Sequence, residues 1–573
     1  MKYIGIDIGD GESAVTVVSE YGAILPAVVT LGNVKSIRSV VGTLKEKSVI
    51  GDQVVLNHAV TNRSARFKSR FLYQEEARRD LARFAQGLYE LVDKSLNDKD
   101  WQITLGCPAA WKQEARERYS AIVQSAGFRN VHTVSESRAA FLYAHYGNEL
   151  HLSPETLKRS TLVIDIGSST LDYAYIVDGK ERDVGVFGEN HLGGGILDEL
   201  ILDYAVKTAP NSKKIRHSLD NSPSWKNYCE LIARKLKEEY FLNETAWALK
   251  SCTDIAPIFA DPSAPLSLQI SLSGEIIAKL LDQKLEQLGG ISFREALAAS
   301  LERAREITSE NPVELLIVTG GASRMKFFQQ LCTAAFPTAQ MILCEEPEFS
   351  IARGLGIAAR TDDILGQFRG QISAYFTSGA IEMEVERQLP YLLPDYIPVI
   401  SKILTREGIY KAIREFGANA AHDNQLESYV FDRIENVIRD SNLTKEADQV
   451  VNRWIAARLT RVQDKLNQIC NEYNIDPADM SLVKIHTEVA LPDVRVPLIL
   501  RLFASAKRSD LAMKIFRLFS RFHFGMSKRI QKQLTSQLSD PNGEFAKELS
   551  RQLVQELQNQ VDLQTQKVEI QIQ

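Results

Sequence analysis

Two stretches of the chain join an apolar run, an aspartate and a turn of small polar residues. They are Tyr3–Ser13, YIGIDIGDGES, and Thr161–Asp172, TLVIDIGSSTLD. Glycine permits a tight turn, and consecutive backbone N–H groups in such a turn form a concavity that holds anions. An aspartate at the end of the preceding strand is a ligand that brings Mg²⁺ to a bound phosphate. One such stretch alone also fits an ordinary turn, but two of them predict a pair of phosphate-binding loops.

The elements around these loops repeat in two halves, which end near residues 359–361. Val15–Val18 continues the first stretch as a hairpin, which indicates antiparallel strands. A strand at Trp101–Gly106 and a helix at Glu136–Tyr146 follow, and the second half has a glycine-rich turn after an apolar strand at Leu315–Arg324. The repeat predicts an α/β fold with two similar lobes that face each other across a cleft, where both loops hold one phosphate chain.

The composition is that of an ordinary globular protein. Of 573 residues, 44% are hydrophobic and 25% are charged, and the net charge of −5 does not favour nucleic acid or an anionic membrane as a partner. The six cysteines form no C-x-x-C pair and the nine histidines are dispersed, so we expect reduced thiols. The first strand begins at residue 3, and no run of about 18 apolar residues exists, which predicts a cytoplasmic protein.

Seven segments in order resemble motifs of the ATPase domain of the seventy-kilodalton heat-shock chaperones (DnaK type). That family belongs with actin and the sugar kinases, so the resemblance implies a two-lobed actin-like (ribonuclease-H-like) ATPase fold over residues 1–361. It places lobe I at about 1–160 plus 345–361 and lobe II at about 161–344. The seven segments are Ile4–Ser13, Pro108–Trp111, Ser135–Ala140, Val163–Asp172, His191–Gly195, Val318–Arg324 and Glu346–Gly356.

The resemblance implies ATP or ADP and Mg²⁺ as ligands, and it gives the matching residues their roles. Asp7 and Asp165 would hold Mg²⁺, mainly through its waters. Lys68 follows Asp7 by 61 residues, the spacing that the family uses for its catalytic lysine. It would neutralise charge that grows on the γ-phosphate and help to hold the attacking water. The resemblance therefore implies a Mg²⁺-dependent ATPase.

The remaining implied roles concern water, the γ-phosphate and the nucleoside. Glu136 and Asp172 would orient the attacking water, and Thr170 would donate to the γ-phosphate. Arg324 would stack its planar guanidinium on the base, and Glu348 takes the place of the ribose-side acid. The implied nucleotide contacts are Gly9, Asp10, Gly11, Gly167, Ser168, Ser169, Gly193, Gly194, Gly195, Lys237, Gly320, Gly321, Ala322, Arg324 and Glu348.

The chain departs from the family pattern at three places. Gly9-Asp10-Gly11 stands where the family has Gly-Thr-Thr, and a carboxylate there would repel the γ-phosphate unless Mg²⁺ or Lys68 offsets its charge. Ser168-Ser169 replaces two glycines of the second loop, which makes this loop stiffer. Ser137 replaces a proline that would lock φ at that point. We therefore expect ATP binding together with slow hydrolysis.

Three of these residues have a plain structural alternative. Lys68 also fits a solvated helix lysine, and its spacing from Asp7 favours the catalytic role. Glu136 also fits an acid favoured by the dipole of a helix N-terminus. Lys237 is assigned only through a loose alignment of the helix at 229–241, and a surface lysine is the preferred interpretation.

Beyond about residue 361 the resemblance ends, and residues 362–573 are predicted to form a mainly α-helical region with short strands at Val483–Leu491 and Lys567–Ile572. Arg495–Lys532 carries ten Lys or Arg and one acid. It would pack with a solvated basic face, bind an acidic partner or lie on an anionic membrane, in that order of preference. Nucleic acid has no supporting motif. The predicted helices are Glu382–Leu389, Tyr396–Glu415, Gln425–Asp440, Ala447–Tyr473 and one near Asp510–Ser539.

Three hypotheses for function follow. The first is an ATP-driven conformational switch that acts on a protein partner through its C-terminal helices. The second is an actin-like filament protein, which requires nucleotide-dependent self-association. The third is a non-hydrolysing ATP-bound scaffold, which Asp10 suggests. The His191–Gly195 segment and the residues after Glu136 favour the first, and a small-molecule kinase is less favoured because no segment indicates a substrate pocket.

Overall fold

The computed structural model divides the chain into two compact units between Asp362 and Asp363. Each unit has a hydrophobic core of its own. The structure describes residues 2–19, 25–96, 101–146, 159–178, 180–182, 184, 188–189, 191–247, 250–261, 263–344, 346–412, 415, 429, 432–433, 436–437, 441–473, 475–482, 532, 535–536 and 538–567.

The first sheet of the first unit is built on a hairpin. Strand β1 (Lys2–Ile8) pairs antiparallel with β2 (Glu12–Ser19) and parallel with β8 (Trp101–Cys107). Strands β3 (Ala27–Val28) and β9 (Val131–Ser135) complete the order β3-β2-β1-β8-β9. The chain therefore leaves the hairpin before it returns to lie parallel beside its first strand.

The second sheet repeats this order. Strand β10 (Thr161–Ile166) pairs antiparallel with β11 (Leu171–Val177) and parallel with β18 (Leu315–Thr319). Strands β12 (Lys180–Glu181) and β19 (Gln340–Leu343) complete the order β12-β11-β10-β18-β19. The duplicated α/β architecture that the sequence repeat predicts is confirmed. We call the part built on the first sheet the first lobe and the part built on the second sheet the second lobe.

Three small sheets and a set of helices accompany the two main sheets. In the first lobe, a three-stranded sheet packs against a long helix, and in the second lobe a hairpin packs against two helices. The additional strands are β4 (Ser36–Arg38), β5 (Val40–Leu44), β6 (Lys47–Ile50), β7 (Thr61–Ala65), β13 (Gly188–Glu189), β14 (Cys252–Ile258), β15 (Leu266–Leu272), β16 (Lys284–Leu285) and β17 (Ile291–Ser292). The helices are α1 (Asp52–Leu56), α2 (Glu75–Ser95), α3 (Gln113–Ser125), α4 (Glu136–Tyr146), α5 (Gly195–Thr208), α6 (Ser212–Asp220), α7 (Pro223–Leu242), α8 (Glu244–Trp247), α9 (Gly274–Leu281), α10 (Phe293–Ile307), α11 (Lys326–Ala335) and α12 (Pro347–Thr377).

Helix α12 crosses both helix α4 and strand β1 so closely that no side chain fits at either contact. A Cβ on Gly354 of α12 would lie 1.7 Å from the carbonyl oxygen of Ala139 in α4, and a Cβ on Gly5 of β1 would lie 2.1 Å from the carbonyl oxygen of Ala352. Glycine is therefore required at both crossings. Because Glu136 is the first residue of α4, this packing fixes its place beside the strand ends.

The described residues of the second unit form helices joined by turns, which confirms the mainly α-helical C-terminal region. Its core joins apolar residues from the end of α12 with those of the following helices, including Phe368, Leu392 and Trp454. In the described residues of the whole chain, no helix is long and apolar enough to cross a membrane. The elements after α12 are α13 (Ala380–Ile403), a π-helical turn at Leu404–Tyr410, and helices Ser441–Arg458, Thr460–Glu472 and Glu544–Lys567.

Several predicted elements of the second unit have different bounds. The two helices predicted between residues 382 and 415 are joined in α13, which runs through Pro390, Pro394 and Pro398. These prolines lie on the exposed face, and the apolar residues between them keep the helical period that buries the opposite face. The helix predicted at 447–473 is divided at Leu459, which lies between two helices.

The strand predicted at Lys567–Ile572 is wrong at Lys567, because this residue ends a helix. Residues 568–573 lie outside the described residues, as do Val483–Leu491 and the basic segment up to residue 531. Most of the predicted helices Gln425–Asp440 and Asp510–Ser539 lie outside the described residues as well.

Candidate functional site

A cavity of about 370 Å³ lies where the two hairpin loops face each other. This volume falls in the range of small-molecule sites, about 300–1,000 Å³. Most of the predicted site residues line it, although they come from segments more than 300 residues apart. The predicted residues that line the cavity are Asp7, Gly9, Asp10, Gly11, Lys68, Glu136, Asp165, Gly167, Ser168, Ser169, Thr170, Gly194, Lys237, Gly320, Gly321, Ala322, Arg324 and Glu348.

The two loops have the same turn and approach each other directly. The Gly9 N–H donates to the Glu12 carbonyl at 3.1 Å, and the Gly167 N–H donates to the Thr170 carbonyl at 3.0 Å. A Cβ on Gly11 would lie 3.3 Å from the Cβ of Ser168, so the loops meet across the cleft. Two hairpin turns of one geometry thus border a single cavity.

The side chains of the second loop leave donors free for an anion. Within the described residues, the hydroxyls of Ser168 and Ser169 are buried and have no hydrogen-bond partner. A buried hydroxyl without a partner costs about 1–3 kcal/mol, so such groups are normally paired with a ligand or water. These orphaned hydroxyls fit the oxygens of a phosphate group.

Lys68 lies beside two carboxylates at the floor of the cavity. Its Nζ forms an ion pair with Glu136 and lies 3.8 Å from Asp7, and the lysine side chain is 7% exposed. Burial alone would lower the pKa of Lys68, but the charges of Glu136 and Asp7 outweigh it and hold that pKa well above its usual value. The lysine therefore stays charged, and its alternative role as a solvated helix lysine is excluded.

Carboxylates crowd the strand ends in a way that suits a divalent cation. Burial, together with Glu136, raises the pKa of Asp7 to about 7 against the attraction of Lys68. Burial and the neighbouring acids raise the pKa of Asp165 well above its usual range. Burial raises the pKa of Asp172 to about 6, against a hydrogen bond from Thr170. Carboxylate oxygens are the ligands that Mg²⁺ prefers, and of these three aspartates Asp7 and Asp165 line the cavity.

We expect Mg²⁺ binding at this site to release protons. The folded-state pKa of Asp7 is raised, so this carboxyl is partly protonated near pH 7 without metal and must ionise to bind the cation. The apparent affinity for Mg²⁺ should therefore rise between pH 6 and 8, by up to about tenfold per unit for each proton displaced. Calorimetry at pH 7 in buffers of different protonation enthalpy measures the released protons. Asp7→Asn should lower their number, and a heat that does not depend on the buffer would contradict the prediction.

Three predicted site residues do not line the cavity. Asp172 is buried opposite Asp165 in the hairpin register, whereas the nearby Thr170 lines the cavity. Gly193 and Gly195 pack behind the second loop instead. A Cβ on Gly193 would lie 2.7 Å from the Ser168 carbonyl carbon, and the Gly195 N–H donates to the Ser168 carbonyl at 2.6 Å. The glycine segment therefore supports the loop that presents the hydroxyls.

Lys237 is not the surface lysine that the sequence favours. Its side chain is 10% exposed, and its Nζ lies 2.7 Å from Asp198 and donates to the Gly194 carbonyl at 3.0 Å. Arg234 also pairs with Asp198, at 3.1 Å, and donates to the Gly11 carbonyl at 3.4 Å. Asp198 thus pairs with two cations, and each cation donates a hydrogen bond to a backbone carbonyl of a different loop.

The part of the cavity predicted to hold the base contains a glycine turn and an ion pair. Arg324 donates to Glu348 at 2.7 Å, and both side chains are about one-third exposed. Gly320 has φ +84°, and a Cβ there would lie 2.3 Å from the Asp165 carboxylate oxygen. This contact joins the glycine turn to the strand end that carries the predicted metal ligand Asp165.

Sequence reasoning missed several cavity residues that come from distant segments. Arg234 lies three residues before Lys237 on α7 and so shares its helix face, which is a signal that could have identified it. Glu12 and Glu238 line the cavity too, but no pattern distinguishes them from surface acids. The apolar wall at Trp111 belongs to a segment already singled out by the resemblance. Other cavity residues not predicted are Ser36, Ser69, Leu72, Tyr73, Pro108, Phe241, Leu242, Met325, Pro347, Phe349 and Ile351.

The duplicated sheets and the loop-bordered cleft define a two-lobed, actin-like nucleotide-binding fold. The sequence profile described as "Hsp70 protein" matches residues 34–361, more than half of the chain. The chain belongs to the Hsp70 family.

Two similar proteins are chaperones of this family. The chaperone protein dnaK1 of Synechocystis sp. is 25% identical over 266 residues, which are 45% of this chain and 35% of that protein. The chaperone protein DnaK of Mycoplasmoides gallisepticum is 23% identical over 372 residues, which are 62% of this chain and 59% of that protein. The chain thus spans less than two thirds of the length of these relatives.

Proposed function

We propose that the protein binds Mg-ATP in the cleft and hydrolyses it slowly. The observation that carries the proposal is the pair of matching hairpin loops, which bring the buried Lys68 to one cavity with the Ser168 and Ser169 hydroxyls, for which the described part of the chain offers no hydrogen-bond partner. Membership in the Hsp70 family, in which ATP or ADP is bound with Mg²⁺, supports the same ligand.

Each group of cavity residues has a separate proposed role in binding the nucleotide or in its hydrolysis. The loop amides and serine hydroxyls would hold the phosphates, and Asp7 and Asp165 would hold Mg²⁺, which would supply positive charge that neutralises the phosphates. Lys68 offsets the charge that grows on the γ-phosphate, and Glu136 keeps this lysine in place. The nucleoside would be bordered by the Gly320–Arg324 turn, Glu348 and Lys237, which line the same cavity.

Thr170 and Asp172 have different parts in this scheme. Thr170 lines the cavity and donates to the γ-phosphate or to the attacking water, whereas Asp172 is buried behind it. The hydrogen bond between them fixes the direction of the threonine hydroxyl. Asp172 is therefore proposed as a positioning residue.

We further propose that hydrolysis drives a conformational switch of the heat-shock type that acts on a protein partner. The helical second unit, which has a core of its own, is the proposed partner-binding part. Glu348 and the residues of α12 up to Asp362 connect the cavity to the start of that unit along the chain. A filament protein would instead require nucleotide-dependent self-association.

Calorimetry with Mg-ATP tests the proposal, and we expect one nucleotide per chain. The double variant Ser168→Ala/Ser169→Ala should weaken binding about tenfold, because two hydroxyl donors are lost while the backbone donors remain. Ser125→Ala, which removes an exposed hydroxyl at the end of α3, should leave affinity unchanged. The absence of any heat for the wild-type protein would refute the proposal, and Mg-ATP-dependent light scattering with a critical concentration would favour the filament hypothesis.

A further inference from the structure

The Asp10 carboxylate joins the first phosphate loop to the backbone of Lys68. Its Oδ1 accepts from the Lys68 N–H at 2.8 Å, and its Oδ2 accepts from the Ser69 N–H at 3.0 Å. Asp10 is 7% exposed. Successive backbone N–H groups attract anions, and here a carboxylate of the chain itself occupies them. The negative charge that appeared unfavourable in the sequence is therefore balanced by two peptide dipoles.

The turn that carries Lys68 has a second anchor on its other side. The Phe71 N–H donates to the Lys68 carbonyl at 3.1 Å, and the Phe71 ring stacks on Trp111 at 5.0 Å between centroids. Phe71 itself is 1% exposed. The hydrophobic core thus fixes the end of the turn, and Asp10 fixes its beginning.

The main chain of Asp10 is held from the opposite lobe. Arg234 Nη1 donates to the carbonyl of Asp10 at 3.2 Å, while its Nε pairs with Asp198 at 3.1 Å. Asp10 therefore contacts the turn that carries Lys68 through its side chain and the second lobe through its backbone carbonyl. A displacement of the loop would move the Lys68 backbone with it.

We propose that Asp10 is a positioning residue that keeps Lys68 at a fixed position relative to the phosphates held by the first loop. A carboxylate can accept both N–H groups at once. Threonine offers a single hydroxyl oxygen, and asparagine offers one carbonyl oxygen and an NH₂ group that would oppose the second N–H donor. The hydrogen bonds are independent of any ligand, whereas their consequence for turnover rests on the proposed ATPase function.

Hydrogen exchange of the nucleotide-free protein tests whether Asp10 holds the backbone N–H groups of Lys68 and Ser69. In a peptide that covers residues 66–73, the Lys68 and Ser69 amides should exchange at least about tenfold faster in Asp10→Ala than in the wild-type protein. Asp282→Asn, which changes an exposed aspartate paired with Arg294, is the matched control and should exchange like the wild type. Unchanged exchange in Asp10→Ala would overturn the proposal whether or not the protein hydrolyses ATP.

A double-mutant cycle with Lys68→Met in single-turnover experiments tests whether Asp10 affects hydrolysis through Lys68. Asp10→Asn alone should lower the rate about tenfold with ATP affinity within about threefold, and it should cost nothing further once Lys68 is methionine. A loss of equal size in both backgrounds, or a faster rate from relieved repulsion, would overturn the positioning role. If the wild-type protein has no turnover, the proposed ATPase function fails, and the exchange result alone decides on Asp10.

Discussion

Replacing Lys68 with methionine is expected to lower single-turnover hydrolysis of ATP by about 10² to 10³-fold and to change ATP affinity by less than about threefold. Lys68 lies between Glu136 and Asp7 at the floor of the cavity, and its raised pKa keeps it charged. In the proposed mechanism, the fixed positive charge of Lys68 offsets the charge that the γ-phosphate gains in the transition state. Methionine fills similar space without that charge, so binding should persist while the rate falls.

The matched control for this prediction is Lys235→Met. Lys235 is an exposed lysine of α7 that pairs with Asp254 at 3.0 Å, so its loss should leave the rate unchanged. Because Lys68→Met removes the cation that pairs with Glu136 and Asp7, thermal unfolding must show that the variant is folded. Equal hydrolysis in the wild-type protein and Lys68→Met would contradict the catalytic role, and equal rates at background level would support the scaffold hypothesis.

The two loops could be predicted because their information is local. An apolar strand, an aspartate and a glycine turn stand within a dozen residues, and the second copy at Thr161–Asp172 repeats them. The strand order follows from this repeat, since each hairpin is followed by a strand that pairs in parallel with its first strand. Local pattern and duplication thus account for the fold and for the phosphate side of the site.

The charge network around the loops could not be predicted in the same way. Asp10 accepts from N–H groups 58 and 59 residues away, and Arg234 donates to a carbonyl 224 residues away. Such contacts depend on the tertiary fold, and sequence shows only the residue types. For the same reason Lys237 has the pattern of a surface lysine, although it is buried beside Asp198.

The continuous helix α13 of the second unit could not be predicted from its residues, because it contains three prolines. Proline normally ends a helix, which favours separate segments around Pro390 and Pro394. In α13 the apolar residues between the prolines keep one buried stripe, with Leu389, Leu392 and Ile397 nearly unexposed. Burial of this stripe outweighs the missing N–H donors, which lie on the solvent side.

Asp198→Asn is expected to lower the free energy of unfolding by about 3 kcal/mol at pH 7, as for other broken buried ion pairs. Asp198 is unexposed, and its carboxylate lies 3.1 Å from Arg234 and 2.7 Å from Lys237. Burial would raise the pKa of Asp198, but the charges of Lys237 and Arg234 outweigh it and hold the pKa below the usual 3.8. The stabilisation is therefore present above pH 3.8 and is lost as the pH falls through the lower folded-state pKa.

Asp203→Asn on the same helix is the control, because Asp203 pairs with Arg216 at 3.0 Å at the surface and should contribute less than about 1 kcal/mol. Denaturant unfolding at pH 7 and at pH 3 measures both variants, and the deficit of Asp198→Asn should shrink at the lower pH. ATP affinity should also fall, by about tenfold, because Arg234 holds the backbone of the first phosphate loop and Lys237 holds Gly194 in the glycine segment that supports the second loop. A variant as stable as Asp203→Asn, or one that loses stability equally at both pH values, would show that Asp198 is not the counter-charge that keeps these two cations in place.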